Sequence, residues 1–283
     1  MIGSTLARPD ADIPHGSRST SDYLALIGVR EIPPATAPFD PGYDPFTFEG
    51  HLLQSGHLME MMKISMAGWI IASEAVTRRK VTLCREQGVR TVTGGGPFEI
   101  AVAQGRLTEY LDLVADIGMD RIEAGMGFTD MPLAPGDVVA AAGARGLEVQ
   151  LELGKKHGGT FTSDVIGHLI DLGREWLDAG AKQLVIEARE SARGVGIFDD
   201  DGQLLAADAD RFADAFGLET AIFEAPDKRS QFALLDHFGA DVHLCNVRLE
   251  EVLRVEIYRR GLHSDAFGRS NLRPPAPRDG GPR

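Results

Sequence analysis

The stretch LVIEARESARG, residues 184–194, begins as an apolar run and then presents charged residues at positions 187, 189 and 190. The same change from apolar to charged side chains occurs in three other segments: RIEAG (121–125), LELGKK (151–156) and IFEAP (222–226). Strands of a parallel sheet are covered on both faces and read as near-continuous apolar runs. We therefore predict that each segment is a buried strand whose carboxyl end carries charge.

Apolar runs alternate with amphipathic segments along most of the chain, at intervals of about 30 residues, as in successive βαβ units. Three of the intervening segments, residues 97–118, 162–180 and 228–239, have helical spacing. The predicted strands span residues 24–31, 57–64, 89–95, 119–125, 147–153, 182–188, 218–225 and 240–247. Eight such units predict an α/β fold of the (β/α)8 TIM-barrel type.

The glycine-rich segment GGGPFE, residues 94–99, does not match the nucleotide fingerprint that an open doubly wound sheet carries after its first strand. This mismatch favours the barrel over the open sheet. We accordingly expect no nucleotide or organic cofactor.

The barrel is predicted to be a single domain, residues 23–268, between a loose polar leader at 1–22 and a flexible Pro/Gly/Arg-rich tail at 269–283. Within the barrel, the long loop 193–210 contains the sequence DDDG, which predicts the turn of a small hairpin. Its three acids lack the remaining ligand spacing of a calcium loop. A solvated turn is therefore the preferred interpretation.

The formal net charge of −13 argues against nucleic acid or an anionic membrane as the main partner, because such partners recruit a basic face. The two cysteines have no partner pattern of His or Cys, so neither a disulfide framework nor a zinc site is predicted. No apolar run is long enough to span a bilayer, and no signal-peptide core is evident. A cytoplasmic protein is expected, and apolar positions on the outer helices favour a homo-oligomer.

The active sites of such barrels lie at the carboxyl ends of the strands, which is where the charged residues of this chain fall. Several carboxylates in one low-dielectric space raise the free energy unless cations compensate. Mg²⁺, which prefers carboxylate oxygens and retained waters, is therefore the predicted cofactor. A purely structural network of ion pairs is the alternative. The predicted metal-binding acids are Glu123, Glu152, Glu187 and Glu224.

Basic residues at the same strand ends indicate a small anionic substrate, since Arg grips a carboxylate or phosphate at two points and Lys serves as a charge or a proton donor. The glycine run before the helix at 97 predicts a backbone nest for an oxyanion. The candidates for substrate binding and catalysis are Lys63, Gly94, Gly95, Gly96, Lys155, Lys156, Arg189, Glu190 and Asn246.

Six segments of the chain resemble, in order and with compatible spacing, the phosphosulfolactate synthase family of coenzyme M biosynthesis. They are GGGPFEIAVAQGRLTEYL, RIEAGMGFTDMP, LELGKK, VIEARES, FEAPDKRSQFALLDHFG and RRGLHSDAF. The resemblance implies a (β/α)8 barrel that adds sulfite to phosphoenolpyruvate with Mg²⁺, giving phosphosulfolactate. In that reaction Lys155 or Lys156 would protonate C2 of the metal-stabilised intermediate. Arg189 would clamp the anion, and Glu190 would orient Arg189.

The chain also departs from the family pattern. KISMAGW (63–69) keeps Lys63 but lacks the usual Thr-Ser hydroxyls, GGG replaces GGT, and GLHSDAF (261–267) replaces GLR-x-DTF. Of an early basic segment only Arg30 remains, as a further substrate-binding candidate. These losses support an alternative, a divergent barrel enzyme that uses another nucleophile or anionic substrate in a specialised biosynthetic pathway. A non-catalytic stress-related or scaffold barrel is a third hypothesis.

Overall fold

Eight parallel strands form a closed barrel in the computed structural model, which describes residues 19–64, 66–129 and 134–273. Each strand pairs with its neighbours in the chain, and β1 pairs with β8 to complete the ring. The strands are β1 Thr36–Asp40, β2 Met61–Ile64, β3 Arg90–Thr93, β4 Arg121–Gly125, β5 Glu148–Leu153, β6 Leu184–Ile186, β7 Ala221–Glu224 and β8 His243–Arg248. The predicted (β/α)8 barrel is confirmed.

Helices surround the barrel, and the described helices are α1 Thr20–Leu26, α2 Pro45–Ser55, α3 Gly68–Ile71, α4 Glu74–Glu86, α5 Gly95–Ala103, α6 Leu107–Ile117, α7 Pro135–Gly143, α8 Ser163–Ala179, α9 Ala206–Phe216, α10 Lys228–Phe238 and α11 Val252–Arg259. Local sequence explains their limits. The Thr162 hydroxyl accepts from the Val165 N–H at the start of α8, and Gly180 ends that helix with a φ of 111°. The helices predicted at 162–180 and 228–239 are confirmed.

The prediction of the first strand is wrong, because residues 20–26 form α1 and β1 lies at 36–40. Ser19 and Asp22 form a capping box, which favours a helix over the apolar strand predicted there. The strand TAPFD was not predicted because it contains Pro38, and proline is disfavoured within a sheet. The barrel accommodates Pro38 at a point where the register between β1 and β8 shifts, between Ala37 and Pro38.

The helix predicted at 97–118 is two helices, α5 and α6, separated at residues 104–106. Gly105 adopts a φ of 64°, which ends the first helix and turns the chain into the second. The loop at 193–210 holds the predicted turn, since the Gly202 N–H donates to the Asp199 carbonyl and antiparallel bridges join Phe198 to Val195 and Leu204.

The predicted domain ends fall largely outside the described residues, which exclude 1–18 and 274–283. Of the predicted tail, residues 269–273 are described, and Leu272 is buried. The described residues include no helix long and apolar enough to cross a membrane.

Arg259 on α11 locks the junction between β1 and β8. Its side chain is fully buried and donates to the carbonyl oxygens of Ala240 and Val242 at 2.7 Å and of Ala35 at 3.2 Å. It also pairs with the buried Glu256 at 3.0 Å. One guanidinium therefore holds together the first strand, the approach to the last strand and the last helix.

The barrel interior carries hydrogen bonds from one end to the other. At the carboxyl end, Gln150 donates to Glu123 Oε2 at 2.8 Å and accepts from Arg121 at 3.3 Å. Arg121 also donates to Gln183, whose amide nitrogen donates to Glu60 at 2.6 Å near the opposite end. A layer of apolar side chains shares this interior, formed by Ala37, Met61, Val92, Val185, Ile222 and Cys245.

Candidate active site

Four glutamates converge at the carboxyl end of the barrel, on the adjacent strands β4, β5, β6 and β7 or directly after them. They are Glu123, Glu152, Glu187 and Glu224, called here the glutamate cluster, and all are buried. Their positions follow from the strand period of two, which directs each of these side chains inward. The structure thus brings together the four acids that sequence predicted to meet.

Lys63 on β2 balances the first of these acids. Its Nζ lies 2.8 Å from Glu123 Oε2, and both side chains are almost fully buried. Burial alone would lower the pKa of Lys63, but nearby carboxylates, above all Glu123, outweigh it and raise the pKa well above its usual value. The Lys63 ammonium is therefore favoured inside the barrel, and its charge is already engaged by Glu123.

Lys156 approaches two other members of the cluster. Its Nζ lies 3.1 Å from Glu152 Oε1 and 3.6 Å from Glu187 Oε2. Burial alone would lower the pKa of Lys156, but the negative charges of Glu152 and Glu187 have the larger combined effect and raise it. The neighbouring Lys155 has an exposed side chain, so the structure directs only the second lysine of LELGKK to the glutamate cluster.

The carboxylates in turn resist ionisation. Burial, followed by repulsion from Glu187, raises the pKa of Glu152 and lifts that of Glu224 well above its usual range. Burial likewise raises the pKa of Glu123, against the opposing effect of Lys63. Full ionisation of the cluster is therefore unfavourable unless positive charge beyond its two lysines is present.

Glu224 is fixed by three donors. Its Oε2 accepts the backbone N–H groups of Ala188 at 2.7 Å and Arg189 at 2.9 Å, and its Oε1 accepts from the Asn246 amide. Asn246 and Arg189 both adopt left-handed backbone conformations, with φ of 53° and 58°. Strained backbone of this kind persists where surrounding structure enforces it, which is common at functional sites.

Arg189 lies at the rim with an exposed side chain. Its guanidinium donates to the Lys156 carbonyl at 2.7 Å and lies 3.2 Å from His157 Nδ1. Its backbone N–H donates to Glu187 Oε1 at 2.7 Å. Glu190, predicted to orient Arg189, is exposed and forms no hydrogen bond or ion pair with it among the described residues.

The glycine run serves the cluster directly. Gly94 caps α5, and the Gly95 N–H donates to Glu123 Oε1 at 3.0 Å, so the anion that this nest receives is a carboxylate of the protein itself. A Cβ atom on Gly95 would lie 3.6 Å from Glu123 Oε1 and 3.8 Å from Glu152 Oε2. Gly96 is half-buried beside it.

Three buried carboxylate oxygens have no hydrogen-bond partner within the described part of the chain: Glu99 Oε1, Glu152 Oε1 and Glu187 Oε2. Lys156 meets Glu152 Oε1 as an ion pair without hydrogen-bond alignment. The four acids of the cluster face two ammonium groups, which leaves an excess of two negative charges when all are ionised. A hard dication matches both the donor type and this excess.

Among the described residues, no three His, Cys, Asp or Glu side chains are placed to enclose a metal ion. Mg²⁺ in proteins is commonly held by one or two carboxylates, with waters and substrate oxygens completing its shell. Glu152 and Glu187, each with an unpartnered oxygen, fit that mode of binding.

Two pockets open beside the cluster and share His157 as a wall. The smaller, about 230 Å³, is lined by Met126, Phe128, Thr129, Lys155 and His157, among others. The larger, about 450 Å³ and called here the arginine pocket, is lined by Lys156, His157, Arg189, Glu190, Ser191 and Arg193, with adjacent glycines and Val195. Lys156 lines the arginine pocket and also contacts Glu152 and Glu187, so this lysine connects that pocket to the cluster.

Arg30 stands apart from the other predicted residues. Its guanidinium lies 2.6 Å from Asp241, which precedes β8 and therefore marks the amino end of the barrel. Gln150, in contrast, belongs to the site but was not among its predicted residues. Gln150 was detectable, because it lies two positions before Glu152 on the same strand and must face the same side. From sequence, HGG at 157–159 favours a flexible loop over a lid, so His157 was not assigned to the site.

Comparisons of the sequence with a family model and with known proteins all match phosphosulfolactate synthases. The family model of (2R)-phospho-3-sulfolactate synthase (ComA) matches residues 35–265. A phosphosulfolactate synthase from Methanocaldococcus jannaschii is 32% identical over 235 residues, covering 83% of this chain and 94% of that protein. One from Methanothermobacter thermautotrophicus is 28% identical, covering 84% and 92%, and one from Bacillus subtilis is 24% identical, covering 81% and 90%.

Among solved structures, a crystal structure of KGPDC from Streptococcus mutans superposes with a TM-score of 0.50 at 12% identity, covering 85% of this chain and 95% of that one. At this identity the likeness concerns the barrel fold alone.

Proposed function

We propose a reaction from one premise, that the chain belongs to the phosphosulfolactate synthase family and is an enzyme of that type. The proposed reaction adds sulfite to C3 of phosphoenolpyruvate, and a proton from the protein goes to C2, giving phosphosulfolactate. The observation that carries the proposal is the glutamate cluster with Lys156 inside it, next to a cationic pocket. An enolate-forming addition needs compensation for negative charge and a proton donor.

Mg²⁺ is the proposed cofactor, and Glu152 and Glu187 are the residues that would hold it. When bound, the ion would supply positive charge for the carboxylate of the substrate. Glu123 has its oxygens engaged by Lys63, Gln150 and Gly95, and Glu224 by the loop after β6. We therefore assign these two acids to positioning rather than to direct metal contact.

Lys156 is the proposed proton donor to C2. Its raised pKa keeps it protonated throughout the neutral range, and its ammonium group already lies among the carboxylates. The carbanion formed by addition at C3 is a much stronger base than the lysine amine, so it can take this proton. Lys155, the other lysine considered from sequence, lines the smaller pocket and is better placed to attract an incoming anion.

Incubation of the purified protein with phosphoenolpyruvate, sulfite and Mg²⁺, followed by mass spectrometry, tests the reaction. The expected product contains all atoms of both reactants plus one proton. Reactions without sulfite, and reactions with the Lys156→Gln variant, serve as controls. Failure of the folded wild-type protein to form this product would rule out the sulfite reaction.

A second candidate keeps the barrel and the cluster but uses another nucleophile. It is favoured by the end of β2, where the chain lacks the usual Thr-Ser hydroxyls and instead exposes Met66 in a left-handed conformation. An apolar side chain there does not solvate a small oxyanion. Thiols and other nucleophiles tested against phosphoenolpyruvate by the same assay would identify such an activity, and conversion with sulfite alone would exclude it.

We also propose that the protein is a homo-oligomer in the cytoplasm. Exposed apolar side chains on the outer helices support the assembly, with Phe46 86% exposed on α2 and Ile71 85% exposed on α3. Light scattering coupled to size exclusion measures the mass directly, and a monomer at micromolar concentration would contradict the assembly.

A further inference from the structure

We propose that the loop after β6 forms a binding site for the phosphoryl group of the substrate, with Arg193 as its principal side chain and Ser191 as a second donor. Arg189 and Lys156 complete the cationic lining of the same pocket. The inference rests on the proposed function, because it assigns the phosphate end of phosphoenolpyruvate to the arginine pocket.

Arg193 is the first observation that supports this site. Its exposed guanidinium lines the arginine pocket and forms no hydrogen bond or ion pair with any described residue. Its stem is nevertheless positioned, because its Cγ lies 3.1 Å from where a Cβ atom of Gly202 would be. Gly202 thus leaves room for the arginine at the turn of the 193–210 loop, and the guanidinium keeps all of its donors available.

The backbone of the same loop provides further donors. Arg189 and Ala192 adopt left-handed conformations, with φ of 58° and 47°. The N–H groups of Glu190, Ser191 and Arg193 donate to no acceptor in the described part of the chain. Turns with left-handed residues direct unpaired N–H groups into a concavity that binds anions. The loop thus combines an uncommitted guanidinium with uncommitted amides.

Alternative phosphate positions are already engaged. Barrels of this type frequently bind phosphate at the loops after the seventh and eighth strands. Here the cations of those loops are paired, Lys228 with Asp265 at 3.2 Å and Arg248 with Glu250 at 2.6 Å. Arg193 carries no such partner among residues 19–64, 66–129 and 134–273, so within them the loop after β6 offers an unpaired positive charge.

The geometry also fits the two ends of the substrate. Lys156 lines the arginine pocket and contacts Glu152 and Glu187. A phosphoryl group held at Arg193 therefore leaves the carboxylate end of the same molecule directed toward the glutamate cluster. The pocket lining includes Lys156, Arg189 and Arg193 against one acid, Glu190. This balance favours a dianionic phosphate over a neutral group.

The test is equilibrium binding to the Arg193→Gln variant by calorimetry, with phosphoenolpyruvate, pyruvate and inorganic phosphate as probes in the presence of Mg²⁺. Loss of a charged donor is expected to lower the affinity for phosphoenolpyruvate and for inorganic phosphate by about 10- to 100-fold. Pyruvate, which lacks the phosphoryl group, should bind as it does to wild type. Arg193→Lys should recover part of the loss, since Lys retains the charge without the planar fork.

Arg174→Gln is the matched control, because Arg174 is exposed on α8 and, of the residues that the structure describes, pairs with Asp171 alone. This variant should bind phosphoenolpyruvate, pyruvate and inorganic phosphate with wild-type affinity. Melting temperatures of the variants equal to that of wild type verify that they fold. Equal binding of phosphoenolpyruvate and phosphate by wild type and Arg193→Gln would overturn the site, as would failure of wild type to bind either. Phosphate binding that depends on Arg193, in a wild-type protein that makes no phosphosulfolactate, would keep the site and refute only the proposed reaction.

Discussion

The ammonium nitrogen of Lys156 lies 3.1 Å from Oε1 of Glu152, the residue four positions earlier in the chain. The backbone of Lys156 is held by the segment after β4, since the Lys156 N–H donates to the Gly127 carbonyl at 2.9 Å. The two adjacent lysines therefore differ in position: the Lys156 ammonium lies among the carboxylates, whereas the Lys155 side chain is exposed and lines the smaller pocket.

Lys156→Gln should lower kcat by a factor of about 10² to 10⁴, the usual range for loss of a general acid. Lys155→Gln should reduce kcat by less than about tenfold and act mainly on KM, because Lys155 is exposed in the smaller pocket. Steady-state kinetics of both variants check the difference. A Lys156→Gln enzyme with wild-type kcat would contradict the assigned role.

Glu152→Gln should flatten the pH dependence of stability of the metal-free protein. Because the folded pKa of Glu152 is raised above its ordinary value of 4.5, its contribution to stability is present below that pH and is lost as pH rises through the folded pKa. Wild type in chelator should therefore melt at a lower temperature at pH 8 than at pH 5. The slope should be smaller in Glu152→Gln, though Glu123 and Glu224 preserve part of it.

The control for that experiment is Glu175→Gln, which removes an exposed acid on α8. It should retain the wild-type slope. Identical slopes in all three proteins would show that Glu152 does not hold an unfavourable charge in the metal-free state.

Mg²⁺ should stabilise the protein by about 2.7 kcal/mol at 100 times its dissociation constant, which corresponds to about 5 °C in melting temperature. Glu187→Gln should remove most of this increase, because it replaces the carboxylate that carries an unpartnered oxygen. Differential scanning calorimetry with and without chelator measures the shift. A full Mg²⁺ response in the variant would assign the ion to other acids.

Asn246→Ala and Asn246→Gly should destabilise the barrel to different extents. Both lose the hydrogen bond to Glu224, but only alanine also suffers from the φ of 53° at this position. The difference between them should be about 1 kcal/mol in favour of glycine. Urea unfolding of the two variants measures it, and equal midpoints would show that the backbone relaxes without strain.

The barrel was predictable because strand after strand repeats an apolar run that ends on charge. The errors arose where local chemistry overrode that pattern. Pro38 interrupts β1, whereas the capping box at Ser19 turns an apolar run into a helix. Apolar content alone does not distinguish these cases.

For the site, strand period and fold together place the four glutamates, but sequence spacing does not reveal hydrogen-bond partners between strands. Which lysine turns inward depends on the loop that follows β5. That Arg30 lies near Asp241 depends on the course of the chain before β1. Arg193 has no side-chain partner in the described part of the chain, which is a property of three-dimensional structure that sequence spacing does not reveal.

The role of Arg259 at the junction of the barrel has a consequence for biosynthesis. Its contact with the Ala35 carbonyl joins residues 224 positions apart. At about 5 to 20 residues per second, the ribosome needs about 10 to 45 s to deliver the arginine after the first strand has been made. During this interval β1 waits with one edge unpaired, so the pace of translation sets the earliest moment at which the ring can close.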